Sequence, residues 1–263
     1  MERQLAESAK RKQRIARLGG VVLVAAVAIV AAIVISSGNS TPPPPKPHSA
    51  TANAVVTRVS SLLSGIPEFG NNGLGKPTAP VQVTEFGDLE CSACDDFALA
   101  TNVNTSAGIK GSGVENNFIN QYVRTGKASL LYRSLDTATS NGATPDEFGA
   151  QQAAALAAGL QGKAWYYIEL FYNEQQPEGS SYVNQGFLDD IAKQVPGLNY
   201  SKWLSDLSDS SLTAQVTGDE TTAGNNNLTS TPAIVVKGPK GQAQAIQGVP
   251  TWPQLQQAIA SVS

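Results

Sequence analysis

Apolar positions change their spacing along this chain, and each spacing predicts a different element. Residues 18–35 form an unbroken apolar run without a charge, which as a helix at about 1.5 Å per residue reaches about 27 Å, enough for a bilayer's hydrocarbon core. Val55, Val59, Leu62 and Leu63 recur at helical spacing and predict a short helix at a domain edge. Residues 81–86, V-Q-V-T-E-F, predict a strand that breaks on Gly87-Asp88, with a helix over 92–101, a second over 116–125 and a strand over 128–135. From 146 to about 224 the pattern is helical. Ala153, Ala154, Ala157, Ala158 and Leu160 line one predicted helix, Trp165, Ile168, Leu170 and Phe171 a second, and Phe187, Leu188, Ile191 and Val195 a third. Trp203, Leu204 and Leu207 mark a fourth and Leu212 and Val216 a fifth; all of these stripes are expected to be core. A β-branched strand over 233–236, a turn over 238–241, a short strand over 242–246 and a helix over 251–262 follow. Thr251 and Gln254 match a capping box there, and Pro253 is tolerated in the first turn.

The order is therefore strand, helix, strand, helical block, strand, strand, helix. Removing the helical block leaves a small α/β sandwich. Ahead of it, Arg3, Lys10, Arg11, Lys12, Arg14 and Arg17 outnumber Glu2 and Glu7. Basic flanks stay on the cytoplasmic side, so residues 1–17 are expected to be a cytoplasmic tail, 18–35 an uncleaved transmembrane signal anchor, and the remainder extracytoplasmic. A cleaved signal peptide is the competing reading. Residues 36–64 are expected to be a stalk ending in the short helix, because Pro42-Pro43-Pro44-Pro45 favours extended polyproline II. Residues 65–263 form the predicted domain, with its helical insertion at about 140–226. The overall charge of −3 conceals an acidic body behind the basic tail, which argues against a nucleic-acid surface, and no Gly-rich phosphate loop is present.

The chain's only two cysteines are Cys91 and Cys94. Their spacing puts both sulfurs on one helical face. At the helix start, unpaired N–H groups favour a thiolate, and a thiolate with a second thiol one turn behind it is the minimum apparatus for thiol-disulfide exchange. Three other readings remain open. A zinc site needs about four ligands, and the single histidine, His48, lies in the Pro-rich stretch. A structural staple across so short a loop constrains the unfolded chain little. Two unrelated buried cysteines are the third.

The landmarks in order are Ala79-Pro80-Val81, Glu85-Phe86-Gly87-Asp88, Cys91-Ser92-Ala93-Cys94, residues 161–165 (Q-G-K-A-W), Thr229-Ser230-Thr231-Pro232-Ala233 and residues 248–252 (G-V-P-T-W). From about Gly75 to the end, the chain resembles the DsbA-like thiol-disulfide oxidoreductases of the thioredoxin superfamily. The resemblance implies an α/β thioredoxin-like fold with a helical insertion. It further implies Cys91 as the exposed attacking sulfur, Cys94 as the buried resolving one, and Glu85 as an acid beneath the site that helps move the proton of Cys94. Thr231-Pro232 resembles the family's cis-proline loop, whose backbone, with Ser92 and Ala93, meets the substrate chain. Ser92-Ala93 lacks the histidine common between strongly oxidising cysteines, and Glu90, Asp95 and Asp96 are expected to surround the sulfur with negative charge that disfavours a thiolate.

The function expected on this basis is a membrane-anchored, extracytoplasmic oxidoreductase that introduces disulfides into exported proteins. It would act without metal or dissociable cofactor and be reoxidised by a membrane redox partner. A reductase or isomerase on the same scaffold, and a non-catalytic binding or chaperone-like module with a permanent Cys91-Cys94 bridge, are the alternatives.

Overall fold

The computed structural model describes residues 50–138 and 145–263. The expected basic tail and membrane anchor, and the proline run of the stalk, lie outside the described residues. Among the described residues no helix is long and apolar enough to cross a membrane.

Helix α1 (Ala50–Leu63) leads into two short strands, β1 (Glu68–Phe69) and β2 (Gly73–Leu74). The sequence there, rich in Gly and Asn, predicts only loop; the strands form because β2 finds an antiparallel partner at the sheet edge, which no local pattern announces. Strand β3 (Val81–Gly87) is central, between β4 (Ala128–Ser134), parallel to it, and β5 (Ala233–Gly238), antiparallel. Its residues are buried apart from Gln82, as suits an interior strand covered on both faces. β6 (Gly241–Gln242) and β7 (Ile246–Gln247) both pair with β5, so the expected strand over 242–246 divides in two.

Between β3 and β4 run α2 (Ser92–Ala98), α3 (Val114–Phe118) and a π-helical turn, Ile119–Val123. α2 stops short of the predicted residue 101 because other partners take its last carbonyls. Ser112 N–H donates to Asp96 O at 2.8 Å, Asn116 Nδ2 to Ala98 O at 2.7 Å and Gly113 N–H to Leu99 O at 2.8 Å. The Asn/Gly-rich segment after α2 thus folds back and caps it. The second predicted helix begins two residues early and widens, with Arg124 N–H bonding Ile119 O.

The insertion consists of α4 (Pro145–Gly159), α5 (Ala164–Glu174), α6 (Gln185–Gln194), α7 (Tyr200–Asp206) and α8 (Ser210–Asn225), five helices as the pattern predicts. Leu160, expected in the core, is 42% exposed. It lies beyond the end of α4, so the helical period no longer applies to it. The buried Trp165 and Trp203 satisfy their indole N–H groups on Asn72 O and Ala154 O, as buried tryptophans do. The last helix, α9 (Trp252–Val262), has the predicted capping box of Thr251 and Gln254.

Candidate active site

The site is assembled where β3 ends and α2 begins. Cys91 is the N-cap of α2, with extended backbone (φ −71°, ψ 120°), and its N–H is held by Asp88 O at 3.0 Å. Cys94 is one turn inside the helix. Both are free thiols. Cys91, expected to be exposed, is itself buried and keeps 7% of its surface, while Cys94 has none; that remnant at Cys91 is the one sulfur surface of the pair that a partner can reach. The Cys91 thiol lies 3.6 Å from Thr231 O, and the Thr231-Pro232 peptide is cis.

The two sulfurs have opposite electrostatics. The Cys94 thiol beside Cys91 is the largest influence lowering the Cys91 pKa, to about 7; burial opposes it, and Thr231 and the backbone N–H groups of Cys94 and Ala93 assist. Cys94 is pushed well up, first by burial and then by donating to Cys91. One thiol is therefore poised to ionise near neutrality at the donor's expense.

Glu85 is near enough for its charge to raise the Cys94 thiol. The register sets Glu85 opposite Tyr132 on β4 and Ile234 on β5, so its carboxyl emerges in the middle of the sheet, fully buried. Burial raises its pKa, Tyr172 opposes that as a hydrogen-bond donor, and charge on Cys91 adds to the rise. The Tyr172 hydroxyl donates to Glu85 Oε1 at 3.4 Å. Gly87 makes the convergence possible: a Cβ there would lie 2.7 Å from the Tyr132 ring and 3.1 Å from both Glu85 Oε1 and the Tyr172 hydroxyl.

Several supports were not legible as site residues. The buried Asp88 carboxylate accepts from Glu90 N–H at 3.0 Å and from Thr137 and Ala138 N–H at 3.2 and 3.0 Å, fastening the loop before Cys91 to the loop after β4. Gln175, buried at the end of α5, donates to Leu89 O at 2.7 Å and Cys91 O at 3.2 Å. Three residues on, the exposed Glu178 accepts from Ser92 N–H and Oγ–H at 3.1 and 3.0 Å. Thr137 and Thr231 join through their hydroxyls. Asp88, beside the predicted break, and Thr231, in the Thr231-Pro232 landmark, carried a sequence signal; Gln175 and Glu178 arrive from the insertion, and no spacing connects them to Cys91.

Cys91, Cys94, Glu85, Thr231, Pro232, Ser92 and Ala93 thus meet at one place. The expected halo of negative charge needs correction. Glu90 and Asp95 are buried, and burial raises Asp95 to about 8, so at neutral pH Asp95 is largely protonated rather than repelling the sulfur. Asp96 is also raised by burial. Among the described residues no group of three or more His, Cys, Asp or Glu is arranged to hold a metal; His48 lies outside them.

A thioredoxin family model matches residues 70–259. Among similar proteins are the disulfide bond formation protein D of Bacillus subtilis, 28% identical over 177 residues (66% of this chain, 71% of that one), and the probable disulfide bond formation protein D of Bacillus anthracis, 23% identical over 191 residues (69% and 80%). Among solved structures, oxidised BdbD from Bacillus subtilis covers 76% of this chain and 96% of its own, with a TM-score of 0.58 at 20% identity. DsbA of Chlamydia trachomatis covers 83% and 96%, with a TM-score of 0.53 at 20% identity. With a reactive dithiol at the start of a helix, the thioredoxin-like sheet around it and a family model spanning most of its length, the chain belongs to the thioredoxin family and is a DsbA-like thiol-disulfide oxidoreductase.

Proposed function

We propose that the chain works as an oxidase of exported proteins, held at the membrane by residues 18–35 with its catalytic domain outside the cytoplasm. The observation that carries this reading is the asymmetry of the dithiol: Cys91 lowered to about 7 and reachable, Cys94 raised and sealed. A lowered Cys91 favours the reduced enzyme, but about 7 is the value of a thioredoxin cysteine rather than the much lower one of DsbA; the oxidative direction is supported instead by the relatives named disulfide bond formation protein D.

In that direction a substrate thiolate attacks Cys91 of the enzyme disulfide. A substrate-Cys91 bond forms, the Cys91-Cys94 bond breaks, and Cys94 leaves with the electron pair. Buried as it is, Cys94 needs a proton, and Glu85 is the acid in electrostatic reach. A second substrate thiolate then attacks the substrate sulfur of the mixed disulfide and releases Cys91 as thiolate. Two electrons have passed to the enzyme, and a membrane redox partner must remove them for turnover. The Thr231 backbone beside Cys91 Sγ, with Ser92 and Ala93, offers an edge on which an extended substrate can lie.

Equilibration with glutathione buffers tests the direction. The oxidase reading expects a potential nearer to about −120 mV than to the thioredoxin-like value of about −270 mV; a value at the thioredoxin end makes the protein a reductase. In cells, Cys94→Ala is expected to accumulate covalent mixed disulfides with envelope proteins. Their absence would favour the non-catalytic module.

A further inference from the structure

The exchange steps above leave one charged group beside Cys91 unused. Glu178 lies in the loop between α5 and α6, within a turn that Ser180 N–H closes on Pro177 O at 3.1 Å, with Gly179 in the left-handed region (φ 73°), where glycine is favoured. The loop is fastened on its inner side by Gln175, whose side chain holds Leu89 O and Cys91 O and whose own carbonyl accepts from Ser106 Oγ–H at 2.8 Å. Its outer side is fastened by Glu178 itself, through the bonds from Ser92 N–H and Oγ–H. The carboxylate is therefore held against the residue that follows the attacking cysteine, while Glu178 stays exposed.

Two features suit this group to meet a cation. Both donors of Ser92 bond Oε2, and Oε1 takes part in neither bond, so a second partner can be accepted without giving up the first. Neither donor is charged, and among the described residues no Lys or Arg forms an ion pair with Glu178. The carboxyls nearer in sequence are otherwise engaged: Glu90 and Asp95 are buried, and Asp96 is hydrogen-bonded to Ser112. Glu178 thus sets a solvent-facing negative charge against Ser92, beside the half-buried Ala93, and no cation among the described residues is paired with it.

We propose that Glu178 is a specificity-determining residue, which draws thiol substrates carrying Lys or Arg next to the reacting cysteine and disfavours those carrying Asp or Glu there. This rests on the oxidase direction above, in which an extended substrate meets Cys91 along Thr231, Ser92 and Ala93. Consecutive residues of an extended segment are about 3.3 Å apart. With the substrate cysteine at Cys91, a basic side chain one or two positions away has the length to meet a carboxylate bonded to Ser92. At a solvated edge opposite charges attract modestly and like charges repel by a similar amount. The effect falls on encounter and orientation rather than on the sulfur chemistry; electrons and protons move as in the steps already described.

The test times, by stopped flow, the oxidation of short dithiol peptides by the full chain with its Cys91-Cys94 disulfide formed. The peptides differ only in whether Lys, Gln or Glu follows each cysteine, and each rate is divided by the rate of the same peptide with a neutral small-molecule disulfide, which removes differences in thiol reactivity. At low salt, wild type is expected to favour the Lys peptide over the Glu peptide about fivefold. Glu178→Gln should bring that ratio to about two or less, and Glu178→Lys should invert it. Any change in the Cys91 thiol acts on all the peptides alike and cancels in the ratio. Should Glu178→Gln keep the wild-type ratio, the charge preference is overturned and the oxidase direction survives; should wild type fail to oxidise even the Gln peptide, both fall. If the variants do not fold, salt decides: a wild-type ratio that shrinks toward one at about 0.5 M salt supports the proposal, and one indifferent to salt overturns it.

Discussion

Cys91 and Cys94 are the same residue type one helical turn apart, yet one is lowered to about 7 and the other raised well above its ordinary value. The open side offers Cys91 donors: the Cys94 thiol, Thr231 and the first backbone N–H groups of α2. The closed side offers Cys94 burial first, then its hydrogen bond to Cys91 and the charges of Cys91 and Glu85, against a single backbone hydrogen bond at Asp88. Position in the fold, not residue chemistry, sets the two thiols apart in ionisation and burial. Glu85 and Glu178 make the same point. The first is raised by burial; the second is exposed and held by two donors of Ser92.

The sharpest break of this contrast is deletion of either sulfur. Cys91→Ser is expected to abolish exchange with dithiol substrates, by about a thousandfold or more in rate because no second nucleophile is reachable, whereas Cys94→Ala should still form adducts through Cys91 and fail to release them. Mass spectrometry of trapped species distinguishes the two, and equal behaviour would dissolve the division of roles. Next in size, alkylation rates of the reduced protein should titrate with a pKa near 7 for Cys91, with Cys94 unreactive while the protein is folded. Uniform reactivity of both thiols would contradict the burial difference.

Stability should depend on pH in two opposing ways. Buried acids hold their protons in the fold where the unfolded chain has lost them, so the oxidised protein should lose stability as pH rises from about 4, through about 8 for Asp95, and level off above. Cys91 has the reverse sign: lowered from 9.0 to about 7, it adds stability to the reduced form that is full above about 9 and lost as pH falls through 7. That term approaches about 2–3 kcal/mol. Chemical denaturation of both redox forms from pH 5 to 9 measures it, and parallel curves would remove the thiolate from the account. The smallest effect is expected at the surface. Glu178→Gln removes an exposed carboxylate beside Cys91 and should lower the Cys91 pKa by only a few tenths, given how strongly solvent screens such charges; a larger change would promote Glu178 to a principal determinant.

Local pattern carried much of the fold. The strand before Cys91, the insertion's five helices, the β-branched strand after Pro232 and the capping box of Thr251 and Gln254 all follow from periodicity and cap chemistry, because those signals lie within a few residues. The strands around Gly73 and the short α2 did not, since each depends on a distant partner: Leu130 and Leu131 for β2, Ser112, Gly113 and Asn116 for α2. The cysteine pair could be read because its spacing is itself chemical. Gln175, Glu178 and Tyr172 could not, as they reach Cys91, Ser92 and Glu85 across 84 to 87 residues of chain.

By itself, then, the sequence determined that a dithiol begins a helix after a central strand, within an α/β frame interrupted by helices. Only the tertiary structure decided which sulfur is stabilised as thiolate, that burial raises Asp95 to about 8, and that Tyr172 meets Glu85. Ionisation depends on desolvation and on neighbours from other elements, and both come into being only when separate segments pack together.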